Sequence, residues 1–158
     1  MVGVSGEPPD GGDRLLLPAG LARAMAAELE EAYPAEGCGV LLGRVEGGDR
    51  RVTELAGAEN RWPDRDDRYL VDPGTLRRLM EREDRGGPRV LGFYHSHPDA
   101  EPVPSGTDRE LAWPWYLYLI VPVEAREAGE GRAWTLEDGG DDFVERPVAR
   151  PDGEGRET

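Results

Sequence analysis

Apolar and polar residues follow one another in stretches that predict short strands alternating with two or three helices. Over 18–33 the apolar residues recur at helical spacing, which predicts a first helix. A second helix is predicted over 72–83, where Asp72 is a suitable N-cap. A third is predicted over 105–113, just before a proline that would stop it.

Shorter apolar or alternating runs predict the strands of a single sheet. Two glycine pairs, Gly47-Gly48 and Gly139-Gly140, separate neighbouring runs and predict tight hairpins. The predicted strands cover 14–17, 38–44, 51–56, 69–71, 90–97, 115–123, 133–136 and 142–145. We therefore expect one α/β domain of the α+β kind, in which a mixed, mostly antiparallel sheet is flanked by helices.

Composition limits the extent of this domain and its partners. The chain has 158 residues, which suit one domain, and Gly, Pro and acidic residues dominate both ends. We expect a disordered N-terminal lead over 1–13, the domain over 14–148 and a flexible acidic tail over 149–158. The net charge of −14 disfavours a nucleic acid partner, because the phosphate backbone is also negative.

No stretch of the sequence resembles a signal peptide, and none is apolar for long enough to span a membrane. Cys38 is the only cysteine, so no intrachain disulfide can form. These features predict a cytoplasmic protein without a membrane partner. The sequence leaves the oligomeric state open.

Both histidines of the chain, His95 and His97, fall in one predicted strand. Residues two apart in a strand point to the same side of the sheet, so the two imidazoles can reach one metal ion. Taken alone, the pair is also compatible with two histidines that serve only as hydrogen-bonding groups.

A serine and an aspartate follow the histidine strand after the proline-rich loop 98–104. Ser105 and Asp108 have the spacing of a helix start, with the serine at the N-cap and the acid at N3. The same arrangement would hold a hydroxyl and a carboxylate rigidly in the first helical turn. Two His and one Asp, with water in the fourth position, match the ligand count of a catalytic zinc site.

A catalytic zinc site also needs a carboxylate that accepts a proton from the attacking water without binding the metal. The candidate is Glu36, which lies just after the first predicted helix and just before a buried strand. Considered alone, a glutamate in such a place is more often an ordinary surface carboxylate.

Three segments together resemble the JAMM, or MPN-plus, metallopeptidases: EGCGVLLG at 36–43, GFYHSHP at 92–98 and PSGTD at 104–108. The signature of that family is a distant Glu, His-x-His, seven residues, Ser, two residues and Asp, and this chain matches every position. The resemblance covers roughly residues 14–125. It implies the fold of that family, a sheet flanked by helices that is similar to the cytidine deaminases.

The resemblance also implies one Zn²⁺ per chain, bound by His95, His97 and Asp108. Glu36 would then be the general acid/base, and Ser105 would help to stabilise the tetrahedral intermediate. The implied activity is that of a deubiquitinase-like peptidase or isopeptidase that cuts after the C-terminal Gly-Gly of a ubiquitin-like modifier or sulfur-carrier protein.

No long insertion is visible, so the chain resembles the compact prokaryotic type of this family. A groove for Gly-Gly is physically reasonable, since only glycine lets the backbone approach a metal closely. The sequence does not distinguish an isopeptide from a linear peptide bond.

Three alternatives share parts of this pattern. A metal-free MPN scaffold, which binds ubiquitin-like proteins without cleaving them, would lack the ligands that this chain has. A zinc deaminase needs a pair of cysteine ligands, which one cysteine cannot supply. A DNA-associated relative is disfavoured by the acidic charge.

Two further features are expected to be structural. Cys38 lies in an apolar strand and has no histidine to activate it other than the proposed ligands, so we expect a buried thiol rather than a nucleophile. The aromatic residues Trp113, Trp115, Tyr116 and Tyr118 are expected to belong to the core.

Overall fold

In a computed structural model of the chain, the structure describes residues 13–58, 71–106, 112–113, 115–136 and 142–151. The helices in these ranges are α1 (Ala19–Ala32) and α2 (Pro73–Asp84). The strands are β1 (Leu15–Leu16), β2 (Cys38–Glu46), β3 (Asp49–Ala58), β4 (Arg89–Pro98), β5 (Leu117–Glu124), β6 (Glu127–Ala128), β7 (Arg132–Leu136), β8 (Phe143–Arg146) and β9 (Val148–Ala149).

All of these strands belong to one sheet, ordered β8-β7-β5-β4-β2-β3-β1-β9, with β6 paired to β5. The pairs β2–β3, β2–β4, β5–β6, β5–β7 and β7–β8 are antiparallel. The pairs β1–β3, β1–β9 and β4–β5 are parallel. The prediction of a mixed, mostly antiparallel sheet with helices is therefore confirmed, and β4 lies in the middle of it.

Helix α1 forms where apolar residues recur at helical spacing, and it covers one face of the sheet. Met25 and Leu29 are its buried residues. They pack with fully buried side chains of the central strands, which include Leu41, Leu91 and Leu119. This core fixes the position of α1 against β2 and β4.

Helix α2 lies against the opposite face. The Asp72 carboxylate accepts a hydrogen bond of 3.1 Å from the Thr75 N–H, as expected for the predicted N-cap. Leu76, Leu79 and Met80 pack against the buried cluster of this second face. Neither described helix has the length or the apolar run that crossing a lipid bilayer requires.

Several expected elements differ in detail from those observed. The short strands β6 and β9 were not predicted, because two residues are too few for a recognisable pattern. Trp113 was expected in the core, but 52% of its surface is exposed. Its backbone N–H donates to the hydroxyl of Tyr118 at 2.8 Å.

Some predictions fall wholly or partly outside the described residues. The predicted strand 69–71 is described only at Val71, and the predicted helix 105–113 only at its ends, where Gly106 is helical and Trp113 is not. The turn at Gly139-Gly140 also lies outside, although the strands that flank it, β7 and β8, do pair.

The domain boundaries remain a prediction, although one residue beyond each predicted boundary takes part in the folded structure. Asp13, assigned to the N-terminal lead, is buried, and its N–H donates to Gly48 O at 2.7 Å. Ala149, assigned to the tail, belongs to β9 and pairs with β1. The other residues of the lead, and most of the tail, lie outside the described residues.

Candidate metal and catalytic site

The imidazoles of His95 and His97 lie side by side on the central strand β4. Their ring centroids are 5.1 Å apart and the ring planes are inclined by 55°. Exposure is 0% for His95 and 7% for His97. Because β2 and β5 hydrogen-bond to both sides of β4, the backbone that carries the two rings is held on both edges.

The tautomer of His97 follows from its hydrogen bond. Its Nδ1 lies 2.8 Å from the backbone oxygen of Glu101. A carbonyl oxygen can only accept, so Nδ1 carries a proton, and in the neutral imidazole Nε2 keeps its lone pair. This is the arrangement in which an outer hydrogen bond orients a histidine that binds a metal.

The loop that supplies this carbonyl is itself anchored to two distant elements. The Tyr33 hydroxyl donates to the Asp99 carboxylate, with distances of 2.8 and 2.9 Å to its two oxygens. The Trp134 indole N–H donates to the backbone oxygen of Pro102 at 3.1 Å. The Asp99 hydrogen bond raises the pKa of Tyr33, because the carboxylate stabilises the protonated phenol.

Glu36 lies two residues before β2, next to the end of the β2–β4 ladder. Cys38 pairs with His95 in the antiparallel β2–β4 ladder, and a bond of 3.0 Å from Ser96 N to Gly37 O extends that pairing towards Glu36. Continuing the register by two residues beyond Cys38 aligns Glu36 with His97, and directly opposed residues in an antiparallel pair project from the same face. Glu36 is only 6% exposed, so its side chain is buried and is not an ordinary surface carboxylate.

Cys38 is a buried neutral thiol. Its side chain is opposite His95 in the register and its exposure is 3%. Burial, together with the Glu28 and Glu36 carboxylates, raises the pKa of this thiol to about 12. The thiol is therefore protonated at neutral pH, which agrees with the expected structural role and not with a nucleophile.

The remaining predicted site residues are less fully described. Ser105 is half-buried at the end of the loop that carries Glu101, directly before the helical residue Gly106. Asp108 lies outside the described residues. In the described ranges, no group of three His, Cys, Asp or Glu side chains could hold a metal ion.

The donor set that is described nevertheless fits a divalent transition metal. Two imidazole nitrogens are suitable ligands for zinc, and a carboxylate completes a common catalytic set. The tautomer of His97 leaves Nε2 as the donor. Burial of both rings in a sheet with a fixed register provides the rigidity that such a site requires.

Sequence reasoning missed several residues that support the histidine strand from the α1 face of the sheet. Tyr94 is fully buried on the α1 side, and its hydroxyl donates to Glu28 at 2.6 Å. Its ring covers Gly39, where an added Cβ would lie 2.2 Å from the Tyr94 ring and hydroxyl. The only sequence signal was a glycine inside an apolar strand, which often marks a close approach.

Comparison with known proteins agrees with this architecture. Three curated relatives are similar over most of the chain. A desampylase of Haloferax volcanii is 41% identical and covers 73% of this chain and 78% of its own. A probable TtuB-protein conjugate cleaving protease of Thermus thermophilus is 33% identical, with coverage of 77% and 81%. A CysO-cysteine peptidase of Mycobacterium tuberculosis is 34% identical, with coverage of 85% and 89%.

Solved structures show the same fold. Protein DSY2949 of Desulfitobacterium hafniense superposes with a TM-score of 0.71, at 28% identity over 86% of this chain and 92% of that one. The JAB1/MPN domain protein AF2198 of Archaeoglobus fulgidus superposes with a TM-score of 0.55, at 19% identity over 85% and 99%. The likeness to cytidine deaminases stays a prediction.

The family assignment follows from the extent of the match. Residues 18–137 match the family described as prokaryotic homologs of the JAB domain. This range begins just before α1 and ends just after β7, so it includes both helices and the central strands that carry His95 and His97. The chain is therefore a member of the family of prokaryotic homologues of the JAB domain.

Proposed function

We propose that this chain is a zinc-dependent peptidase that hydrolyses the bond after the C-terminal Gly-Gly of a ubiquitin-like modifier or sulfur-carrier protein. The observation that carries the proposal is the buried imidazole pair on β4, with the buried Glu36 just before the paired strand β2. The names of the three relatives add support, since each describes a protease, a peptidase or the removal of a modifier.

The proposed zinc ligands are His95 Nε2 or Nδ1, His97 Nε2 and the Asp108 carboxylate. The hydrogen bond from His97 Nδ1 to Glu101 O supports the choice of Nε2 at that residue. When bound, zinc supplies Lewis acidity and lowers the pKa of a coordinated water to about 7. Asp108 is assigned by the sequence signature alone.

In the proposed mechanism, the Glu36 carboxylate accepts the proton of the attacking water. It then donates that proton to the amine that leaves the scissile bond, so one residue serves as base and acid in turn. The Ser105 hydroxyl donates a hydrogen bond to the oxyanion of the tetrahedral intermediate. Burial of Glu36 limits bulk water around the carboxylate and keeps the proton transfer local.

The relatives differ in the bond that their names describe. One name refers to a protein conjugate, which implies a modifier joined to a protein, and another to a carrier joined to cysteine. Both substrates would present an extended carrier tail followed by an amine leaving group. We propose that this chain accepts one or both, with the tail as the shared element.

The test uses two substrates with the same Gly-Gly-tailed carrier. One carries a lysine-linked protein and the other a C-terminal cysteine. Intact mass analysis should show release of the carrier ending in Gly-Gly, with zinc and not after treatment with a chelator. Because the chain contains no lysine, every isopeptide-linked product in the mixture must come from the substrate.

The decisive variant is Glu36→Gln, which keeps size and hydrogen bonding but cannot accept the proton. Turnover should fall by about 10²- to 10⁴-fold, with zinc content unchanged. The matched control is Glu31→Gln on the exposed face of α1, which should turn over normally. Normal turnover by Glu36→Gln would refute the role of Glu36, and binding of both substrates without cleavage would favour the scaffold alternative.

A cytoplasmic location is part of the same proposal. Cys38 is buried as a free thiol, as expected in a reducing compartment. Fractionation of the native host should place the protein with the cytoplasmic markers, and its recovery with secreted proteins would contradict the assignment.

A further inference from the structure

Ser96 separates the two proposed metal ligands in the sequence but projects away from them. Side chains alternate along β4, so Ser96 lies on the face covered by α1, while His95 and His97 project from the other. Its exposure is 0%. From that position it has no access to a substrate on the imidazole face, so any effect on the reaction must pass through another residue.

Ser96 holds Gly37 by two hydrogen bonds. The Ser96 N–H donates to Gly37 O at 3.0 Å, and the Gly37 N–H donates to Ser96 Oγ at 2.9 Å. In a regular antiparallel pair, the second bond would go to the backbone carbonyl of the partner residue. Here a side-chain oxygen accepts it, at the point where the chain enters β2.

Helix α1 encloses Gly37 from the other side. A Cβ at position 37 would lie 2.9 Å from Leu29 Cδ2 and 3.0 Å from Ala32 Cβ, both closer than normal packing allows. Gly37 is thus held between the last turns of α1 and the strand β4. Glu36 is the next residue towards the N-terminus. The fixed position of Gly37 therefore restricts where the backbone of the proposed acid/base can lie.

We propose that Ser96 is a positioning residue that sets the place of the Glu36 carboxylate through its hydrogen bond to Gly37. The inference rests on the proposed function, which gives Glu36 its proton-transfer role. Without the hydroxyl, the Gly37 N–H loses its acceptor and the chain before β2 can shift. A general acid/base acts only within hydrogen-bond reach of its proton, so the shift lowers turnover more than substrate binding.

The first test is Ser96→Ala. We expect kcat to fall by about 10- to 100-fold, the loss that a misplacement of about 1 Å can cause, while KM and zinc content change little. Ser96→Thr, which keeps a hydroxyl, should recover most of the turnover. An unchanged kcat for Ser96→Ala, or a loss explained by KM or by zinc content, would overturn the proposal.

The matched control is Thr135→Val. It also removes a buried hydroxyl from the sheet, one that accepts a hydrogen bond of 2.9 Å from Arg146 Nε, but it lies on β7. Its kcat should equal that of the wild type. An equal loss in both variants would mean that Ser96 supports the sheet in general and has no specific connection to Glu36.

A double-mutant cycle tests the route through Glu36. On the residual rate of Glu36→Gln, measured at high enzyme concentration, Ser96→Ala should cause no further loss, because the group that it positions no longer transfers the proton. Losses that multiply would show that Ser96 acts independently of Glu36, and the proposal would then be wrong.

A measurement without substrate separates this inference from the proposed function. In the full-length wild type, amide hydrogen exchange at Gly37 should be slow, and it should quicken by at least about tenfold in Ser96→Ala. Rapid exchange in the wild type would overturn the proposal even if that variant did not fold. If Gly37 is protected but the zinc-loaded wild type cleaves neither substrate, the proposed function fails and only the structural contact stands.

Discussion

Asp13 and Arg50 form an ion pair of 2.6 Å whose two side chains are only 6% and 4% exposed. The same guanidinium donates to the backbone oxygen of Leu91 at 3.1 Å and lies 4.2 Å from the ring centroid of Trp115. The pair therefore connects the segment before β1 to the central strand β4. Asp13 balances the charge of Arg50, and Leu91 O and the Trp115 ring make its other contacts, so three separate parts of the chain hold the guanidinium.

Asp13→Ala should destabilise the domain strongly, because it leaves a buried guanidinium without its carboxylate. Removal of one partner of a buried pair costs about 3–5 kcal/mol. Urea denaturation at neutral pH measures the difference. The control is Glu54→Ala, which removes the exposed partner of Arg82 and should have a much smaller effect. Equal effects of the two variants would contradict the importance of the buried pair.

The ion pair between Arg14 and Asp49 predicts a contribution to acid stability. Hydrogen bonds from Arg14, with Nη2 2.6 Å from the carboxylate, hold the pKa of Asp49 below its usual value. The folded state binds this proton less readily, so the contribution is present above the unfolded pKa near 4 and is lost as pH falls through the lower folded value.

Asp49→Asn measures that contribution directly. The variant should be less stable than the wild type at pH 7, and the difference should shrink as the pH falls below about 4. Half of the Arg14 side chain is exposed, so solvent screening will keep the difference modest. Urea denaturation across that range supplies the test, and a difference that grew in acid would contradict the assigned direction of the pKa shift.

Gly39→Ala should destabilise the packing on the α1 face of the sheet, opposite the face that carries the imidazoles. The new methyl would lie 2.2 Å from Tyr94, whose hydroxyl is bound to Glu28, so the ring must leave its place. Overpacking of this kind costs about 1–3 kcal/mol. Gly20→Ala in α1 is the control, because the nearest atom is a flexible Arg23 nitrogen at 3.9 Å. That change should be neutral or stabilising, and an equal cost would contradict the crowding at Gly39.

Apolar spacing, capping residues and turn residues predicted the helices and the first hairpin, because these elements depend on residues that are near each other in the sequence. The apolar spacing of 18–33 and the capping residue Asp72 gave both described helices to within a residue or two. The turn at Gly47-Gly48 gave the β2–β3 hairpin, because register follows from the turn. Trp113 was wrongly assigned to the core, because its position next to an apolar strand does not determine whether a side chain outside that strand faces solvent.

Strand periodicity alone predicted the site only where a single segment carries its residues. His95 and His97 share a face because they are two apart on one strand, a relationship that the sequence contains. The contact of Ser96 with Gly37 joins residues 59 positions apart, and that of Tyr94 with Glu28 joins residues 66 apart. Such contacts depend on the order of strands in the sheet, which periodicity does not encode.

The proposed ligand set predicts the metal content of three variants. His97→Ala and Asp108→Ala should each lose stoichiometric zinc, because two protein ligands are too few for a stable catalytic site. Cys38→Ala should retain it, since the thiol is protonated and buried. Metal analysis after gel filtration gives the result. Full zinc content in Asp108→Ala would remove that residue from the ligand set and leave the enzyme proposal without its third ligand.

Trp134 is predicted to support metal binding without touching the metal. Its indole N–H holds Pro102 O at 3.1 Å, one residue from the Glu101 carbonyl that accepts from His97 Nδ1. Trp134→Phe keeps an aromatic ring but removes the donor, so the carbonyl should orient His97 less well. Loss of such outer contacts weakens metal affinity by about 10- to 100-fold.

Competition with a chromophoric chelator measures this affinity for Trp134→Phe, with Trp113→Phe as the control for loss of an exposed indole. The control should bind zinc as the wild type does. Tyr33→Phe, which removes the second anchor of the same loop at Asp99, should weaken zinc binding in the same direction. If Trp134→Phe and Tyr33→Phe both bound zinc with unchanged affinity, the loop would hold its shape by its own prolines and turns, and the two hydrogen bonds would have no part in orienting His97.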